Sequence, residues 1–227
     1  MITVHHLNNS RSQRVLWLLE ELGLPYEIVH HQRDAKTMLA PPALEKVHPL
    51  GKSPVICETL PSGEAVTVAE TGAIVEHVLE VHGAGRLRPA PGTEAARRFR
   101  YWLHFAEGSA MPPLLMTLVF NKVASSPAPF FVKPILKGVA AKVKDSFIRP
   151  NLERQFAFME AELSRSPWFA GDDFSAADIM MSFPLEAAAQ RGGLDARYPA
   201  LQAWLRTIHA RPAWKRALER GGRYDFA

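Results

Sequence analysis

The stretch His48–Thr71, HPLGKSPVICETLPSGEAVTVAET, decides how the chain reads. A turn at Gly51-Lys52-Ser53-Pro54 enters a short apolar strand, Val55 to Cys57, and a turn at Pro61-Ser62-Gly63 enters a second, Ala65 to Val68. Turn residues around two β-rich runs predict a hairpin. Glu70-Thr71 then opens an amphipathic helix carrying Ile74, Val75 and Val78, with an acid where the helix dipole favours one. Pro54 removes a ladder donor, so it belongs at an edge or beside a site and not in a strand interior. Two readings of it stay open: an ordinary trans turn proline, and a cis-proline that offers the preceding backbone to a ligand.

Upstream of the hairpin, Ile2 to Leu7 reads as a strand with Ile2, Val4 and His6 on one side. Gln13 to Leu22 reads as a helix with Val15, Leu16, Leu18, Leu19 and Leu22 as its buried stripe, capped by Ser10 or Ser12 and ended by Gly23. Tyr26 to His30 is the next strand, which completes a βαβ unit. A short helix, Ala43 to Lys46, interrupts the loop before the hairpin. A βαβ unit followed by ββα predicts a small mixed sheet with helices over residues 1–81, and the hairpin separates it from a doubly wound nucleotide fold. Residues 82–93, HGAGRLRPAPGT, read as a linker. Residues 94–227 lose the strand signal and read as all-helical. Helices are expected over Glu94–Ser109, Leu114–Val123, Val132–Phe147, Leu152–Leu163, Ile179–Gln190, Ala200–His209 and Pro212–Arg220, with a kink or restart at Pro112-Pro113. Ser175 and Asp178 form a capping-box variant, and the nearly uncharged helix after them belongs in the middle of its domain.

The totals narrow the function classes. The chain has 227 residues, 47% apolar and 22% charged, which is an ordinary globular composition. A formal charge of +4, without a basic tail or block, argues against nucleic acid. The single cysteine, Cys57, excludes an intrachain disulfide and favours a reducing compartment. No basic-then-apolar segment marks a signal peptide, and Met111–Phe120 is too short to span a bilayer, so a cytoplasmic location is expected. Nine histidines show no metal-ligand spacing; His5-His6 and His30-His31 are neighbours on strands and face opposite ways. No metal is expected.

Three places are fit for chemistry. Asn9, Ser10, Arg11 and Ser12 lie in a β-to-α turn at a helix start, where free amides and a hydroxyl favour an anion. A serine there stabilises a thiolate by donating one hydrogen bond. Glu70 and Thr71 form a clamp for an amino-acid end, the acid for an ammonium and the helix start for a carboxylate. Lys52 is placed for a second carboxylate, and Ser53 offers backbone groups if Pro54 is cis. A peptide with two carboxylates, one ammonium and one thiol satisfies all three. In the helical part, Tyr101, His104, Phe105, Glu107, Met111 and Phe120 are the candidates for an apolar pocket, although the same aromatic run suits a subunit interface.

With SRSQRVLWLLEELGLPYE, HPLGKSP, AETGAI and FSAADIMMSFPL in this order and spacing, the chain resembles the cytosolic glutathione transferase superfamily over nearly its full length. APPALEKVHPLGKSP and EGSAMPPLLM look like the subgroup typified by the fungal glutathione transferase I, which has bacterial members. The resemblance implies an α/β thioredoxin-like N-terminal domain plus an all-α C-terminal domain. It implies a cis bond at Pro54, Ser53 pairing with the cysteinyl part of glutathione, Glu70 and Thr71 holding its γ-glutamyl end, and Lys52 meeting its glycyl carboxylate. Ser10 is the first choice for activating the thiol, with Asn9 and Ser12 the others. The implied activity is thiolate attack on a small hydrophobic electrophile or a peroxide, in a homodimer. A glutathione-dependent reductase, isomerase or dehalogenase, and a non-catalytic glutathione-binding regulator, are the alternatives on the same fold.

Overall fold

The computed structural model describes residues 1–34 and 36–226; Ala227, the end of the expected helical region, lies outside them. Strands β1 (Ile2–Leu7), β2 (Tyr26–His31), β3 (Val55–Thr59) and β4 (Ala65–Ala69) form one sheet in the order β2-β1-β3-β4. β1 pairs in parallel with β2 and antiparallel with β3, and β3 pairs antiparallel with β4. The parallel pair requires a crossover, supplied by α1 (Gln13–Leu22); the antiparallel pair needs only the Pro61-Ser62-Gly63 turn. α2 (Thr71–Val81) comes after β4. Gly23 ends α1 at φ 63°, the left-handed cap position that costs glycine least. The short helix expected at Ala43–Lys46 is a 3-10 turn at Pro42–Leu44.

The second unit is helical: α3 (Glu94–Phe105), α4 (Met111–Ser125), α5 (Lys133–Val143), α6 (Arg149–Leu163), α7 (Ala176–Ala187), α8 (Pro199–Ala210) and α9 (Pro212–Gly221). This is the mixed sheet with an all-helical partner that the resemblance implies. α7 is buried along its whole length, Asp178 and Glu186 included, as its nearly uncharged sequence predicts. α3 neither kinks nor restarts before Pro112-Pro113. It passes through a π-helical turn, Ala106–Ala110, into α4, and the prolines fall in the turn directly after it. α5 likewise runs into α6 through a π turn at Lys144–Ile148, where the sequence suggested a break.

Two prolines open helical carbonyls to side chains. Pro184 lies inside α7 and has no N–H to return to Met180, four residues back; Arg14 Nη1 donates to the Met180 carbonyl at 2.8 Å. Pro113 stands in the same relation to Ser109, whose carbonyl accepts from Gln155 Nε2 at 2.9 Å.

α1 and α2 pack on each other and on α7, which joins the two units. The polar centre of that junction is Arg14, a fully buried guanidinium. Besides Met180 it reaches Thr71 Oγ1 at 3.4 Å and pairs with Glu107 of the first π turn. Burial pushes the Glu107 carboxyl up, but the Arg14 and Arg11 charges more than offset this and hold it below the ordinary value of 4.5. A carboxyl depressed on folding lends stability above its unfolded pKa and loses it as pH falls through the folded one. Glu107→Gln should therefore flatten the acid limb of a stability–pH profile below about pH 4.5, as read by denaturant titration at several pH values.

Asp178 closes the cap of α7. Its Oδ2 accepts from Ser175 N at 3.0 Å, and its Oδ1 accepts from Phe169 N at 3.0 Å and Trp204 Nε1 at 3.2 Å. Burial pushes this carboxyl up to about 6 against the pull of those donors. Asp178→Ala would leave three buried N–H groups without an acceptor. We expect a loss of about 3 kcal/mol or more, read as a lowered midpoint in thermal or denaturant unfolding.

Candidate active site

The turn after β1 begins at Asn8. Asn9 is held at φ 51°, and its side chain clasps the C-terminal segment: Nδ2 donates to Asp225 Oδ2 at 2.7 Å while Oδ1 accepts from Asp225 N at 2.8 Å. Ser10 is buried except for its edge on a cavity, and its Oγ lies 2.7 Å from Ser12 Oγ. Ser12 is fully buried. It occupies the N-cap position of α1 but caps nothing with its side chain. Its Oγ accepts from Leu7 N at 3.2 Å and lies 2.9 Å from His6 Nδ1. Of the three first-turn candidates, Ser10 faces the cleft, Asn9 is tied to Asp225, and Ser12 turns inward.

The hairpin brings the other predicted groups together. The Ser53–Pro54 bond is cis, the rarer of the two readings and the one that the resemblance implies. Ser53 precedes the ladder, which starts where Val55 pairs with His5 and Ala69, and its Oγ donates to His5 O at 2.8 Å. Glu70, at the N-cap of α2, has φ 69° and ψ 126°. A non-glycine residue in this region carries about 1–3 kcal/mol of backbone strain. Its carbonyl still accepts the first helical bond, from Ile74 N, while its carboxylate stays exposed in the cleft. Thr71 is buried, its hydroxyl held by Arg14.

Lys52, Ser53, Pro54, Glu70, Thr71, Arg11 and Glu107 line one cavity of about 280 Å³. Ser53, Arg11 and Leu115 also line a neighbouring cavity of about 450 Å³. Ser10 belongs to that second cavity, together with Met111, Leu118, Phe183 and Phe226. The first cavity is polar and carries groups of both signs. The second has an apolar wall edged by Arg33, Lys122, Arg191 and Asp225.

The helical candidates divide. Met111 lines the apolar cavity, and Glu107 lies in the polar one as the ion partner of Arg14 and of Arg11, at 3.0 Å from Arg11 Nε. Tyr101, His104 and Phe105 line a separate depression with Arg97 and Arg100 that shares no residue with the cleft, and Phe120 packs against the core from its edge. Arg14 was missing from the sequence candidates. The signal was present: it stands three and four residues before Trp17 and Leu18, so a charge falls on the apolar stripe of α1. Phe226 and Asp225 had no comparable signal, because a short tail has no period to read. Among the described residues, no group of three or more His, Cys, Asp or Glu side chains is arranged for a metal ion, and no helix is long and apolar enough to cross a membrane.

Known proteins resemble this chain over nearly its whole length. Residues 10–81 match the model of the glutathione S-transferase N-terminal domain, and residues 124–207 that of the C-terminal domain. Glutathione S-transferase 1 of Saccharomyces cerevisiae is 36% identical over 97% of this chain and 95% of its own. Glutathione S-transferase 3 of Schizosaccharomyces pombe is 34% identical over 97% of this chain and 88% of its own. The crystal structure of a glutathione S-transferase from Actinobacillus pleuropneumoniae superposes with a TM-score of 0.78 at 29% identity, over 100% of this chain and 95% of that one. With two family models in chain order and relatives above 30% identity along nearly the whole length, this chain belongs to the glutathione S-transferase family.

Proposed function

We propose that the polar cavity binds glutathione and that Ser10 holds its sulfur as the thiolate, for attack on a small hydrophobic electrophile or a peroxide in the apolar cavity. The observation that carries this reading is that the two cavities meet at Ser53. A cysteinyl group paired to the Ser53 backbone would have its γ-glutamyl end toward Glu70 and Thr71 and its sulfur toward Ser10. Lys52, at the polar end, would meet the glycyl carboxylate. Residues 1–81 would then bind glutathione, residues 82–93 would link, and the helical region would supply Met111, Leu118 and Phe183 as the electrophile wall.

Three effects of this chain favour the reaction. The Ser10 hydroxyl gives a charge-assisted hydrogen bond to the thiolate. Arg33, Lys122 and Arg191, with Arg11 already shared with Glu107, favour an anion over a neutral thiol at their cavity. The adjoining cavities hold sulfur and electrophile at reacting distance. The likeness to the fungal glutathione S-transferase 1 supports placing the chain in that subgroup. We propose a homodimer as well, with the exposed Tyr101 and Phe158 as part of its contact; sedimentation giving monomer alone at micromolar concentration would overturn it.

Calorimetry with glutathione, followed by ultraviolet titration of the bound thiol, tests the main reading. The expected result is a thiol pKa below that of free glutathione; no binding, or an unshifted thiol, would overturn it. Ser10→Ala should keep most of the affinity and lower kcat/KM by about tenfold to a hundredfold, the worth of one hydrogen bond to a charge.

Glu70 separates function from stability. Glu70→Gly removes the ammonium partner and also relieves the backbone at φ 69°. Glutathione affinity should fall about tenfold or more while the unfolding midpoint stays level or rises. A lowered midpoint would mean that Glu70 serves the fold instead.

A further inference from the structure

Ser10 meets the cleft on one side and a file of buried polar groups on the other. Its Oγ is 2.7 Å from Ser12 Oγ, which is 2.9 Å from His6 Nδ1. All three side chains are at most 3% exposed. His6 in turn borders another cavity, of about 660 Å³, with His30, His31 and Arg33. Asn9 and Asp225 line both this cavity and the apolar one, so their clasp forms the wall between the two.

We propose that Ser10, Ser12 and His6 form a proton path that carries the thiol proton of bound glutathione out of the cleft into the histidine-lined cavity. This rests on the reading that glutathione binds with its sulfur at Ser10.

The hydrogen-bond inventory allows two orders along the file. Leu7 N–H already donates to Ser12 Oγ, and Ser12 N–H to Ser10 Oγ at 3.2 Å; the Leu7 carbonyl, 3.3 Å from Ser12 Oγ, is a longer alternative acceptor than Ser10 at 2.7 Å or His6 at 2.9 Å. In the inward order, Ser10 Oγ–H donates to Ser12 Oγ, and Ser12 Oγ–H donates to His6 Nδ1, whose ring carries its hydrogen on Nε2. With one lone pair of Ser10 Oγ taken by Ser12 N–H, the other is left for the thiol. In the outward order, His6 Nδ1–H donates to Ser12, Ser12 donates to Ser10, and Ser10 donates to the thiolate.

Passing from the first order to the second is the ionisation itself. The S–H bond breaks and its proton joins Ser10 Oγ. The former Ser10 proton moves to Ser12 Oγ, and the former Ser12 proton moves to His6 Nδ1. The Nε2 proton leaves to water in the far cavity. Each hydroxyl ends with one hydrogen, the ring ends neutral, and one proton has been exchanged for one thiolate. The hydrogen bond that stabilises the thiolate is formed by the same movement.

His6 is suited to pass a proton without keeping it. Burial, and next the neighbouring His30, hold its pKa at about 4, so the ring stays neutral. The path also works when an apolar substrate has displaced water from the cleft, because it runs through the protein. His6 is thus a positioning residue, acting on the sulfur through two serines.

The test is stopped-flow ultraviolet detection of thiolate on mixing with glutathione, for wild type, His6→Asn and His6→Ala. Asparagine still faces Ser12 with a polar group but cannot take a proton on one side and release it on the other. Both variants should form thiolate about a hundredfold or more slowly, the low end of what a positioned proton acceptor contributes. Glutathione affinity and final thiolate should stay within about twofold of wild type. Added imidazole should restore the rate of His6→Ala. Thiazole, a ring of similar shape without an N–H, should not. Wild-type rates in both variants would overturn the path and leave glutathione binding intact. Equal losses of affinity and of final thiolate would also overturn it, making His6 a packing residue. Wild type that binds no glutathione would overturn the underlying reading, and the path with it.

Discussion

One buried charge holds the cleft together. The Arg14 guanidinium leaves water completely, and an ion without partners in such a place costs several kcal/mol. Its partners come from four places around the cleft: the Arg11 carbonyl, Thr71 at the start of α2, the Met180 carbonyl in α7, and Glu107 in the π turn after α3. Two of these belong to the sheet unit and two to the helical one. The relative placement of the units is therefore tied to the same group that positions Thr71 and Glu107 in the polar cavity. A shift between the units would strand the charge, so the geometry of the site and the packing of the junction are one constraint.

The partners of Arg14 exist because the backbone departs from regularity at chosen places. Met180 has a carbonyl to give because Pro184 cannot claim it. Glu107 reaches Arg14 from a π turn, and Gln190 and Arg191 border the apolar cavity from another, Ala188–Gly192. A π turn adds a residue to the helical register and rotates the side chains beyond it by about 100°. Helices with proline in their course are in this way kept continuous and re-aimed. Such turns recur at functional sites for that reason, and here two of them supply residues to one cleft.

The same irregularity explains which parts of the molecule were legible in the sequence. Strands, hairpin and caps depend on neighbours, so Ile2–Leu7, Gly23 and the Ser175–Asp178 box read directly from residue order. Lys52, Ser53, Glu70 and Thr71 converge as expected because one hairpin joins them. Tyr101, His104 and Phe105 are candidates by sequence for the pocket or for a subunit interface, and they do not join Met111 at the cleft: a straight helix would bring His104 and Met111 near one face, and the π turn between them breaks that phase. Ser12 read as a cap because it stands at a helix start. Its hydroxyl belongs instead to the backbone of β1 and to His6, a choice made by burial and not by position. The partners of Arg14 and Asn9 lie as far off in sequence as Met180 and Asp225, and no local pattern announces pairs so distant.

Electrostatics gives the two sides of the β1 turn opposite preferences. On the cleft side, Arg33, Lys122 and Arg191 outnumber Asp225; Arg11 is paired with Glu107, and Asp225 is engaged by Arg223 and Asn9. An anion at Ser10 reduces that imbalance. On the inner side, a proton resting on His6 would add positive charge beside His30, in a buried place where the Gly221 backbone favours it and no carboxylate does. Burial and like charge both act against it. One field thus favours a thiolate at Ser10 and a neutral ring at His6. The sign of the charge around the turn, more than the basicity of any single residue, determines where a proton released from the sulfur can remain.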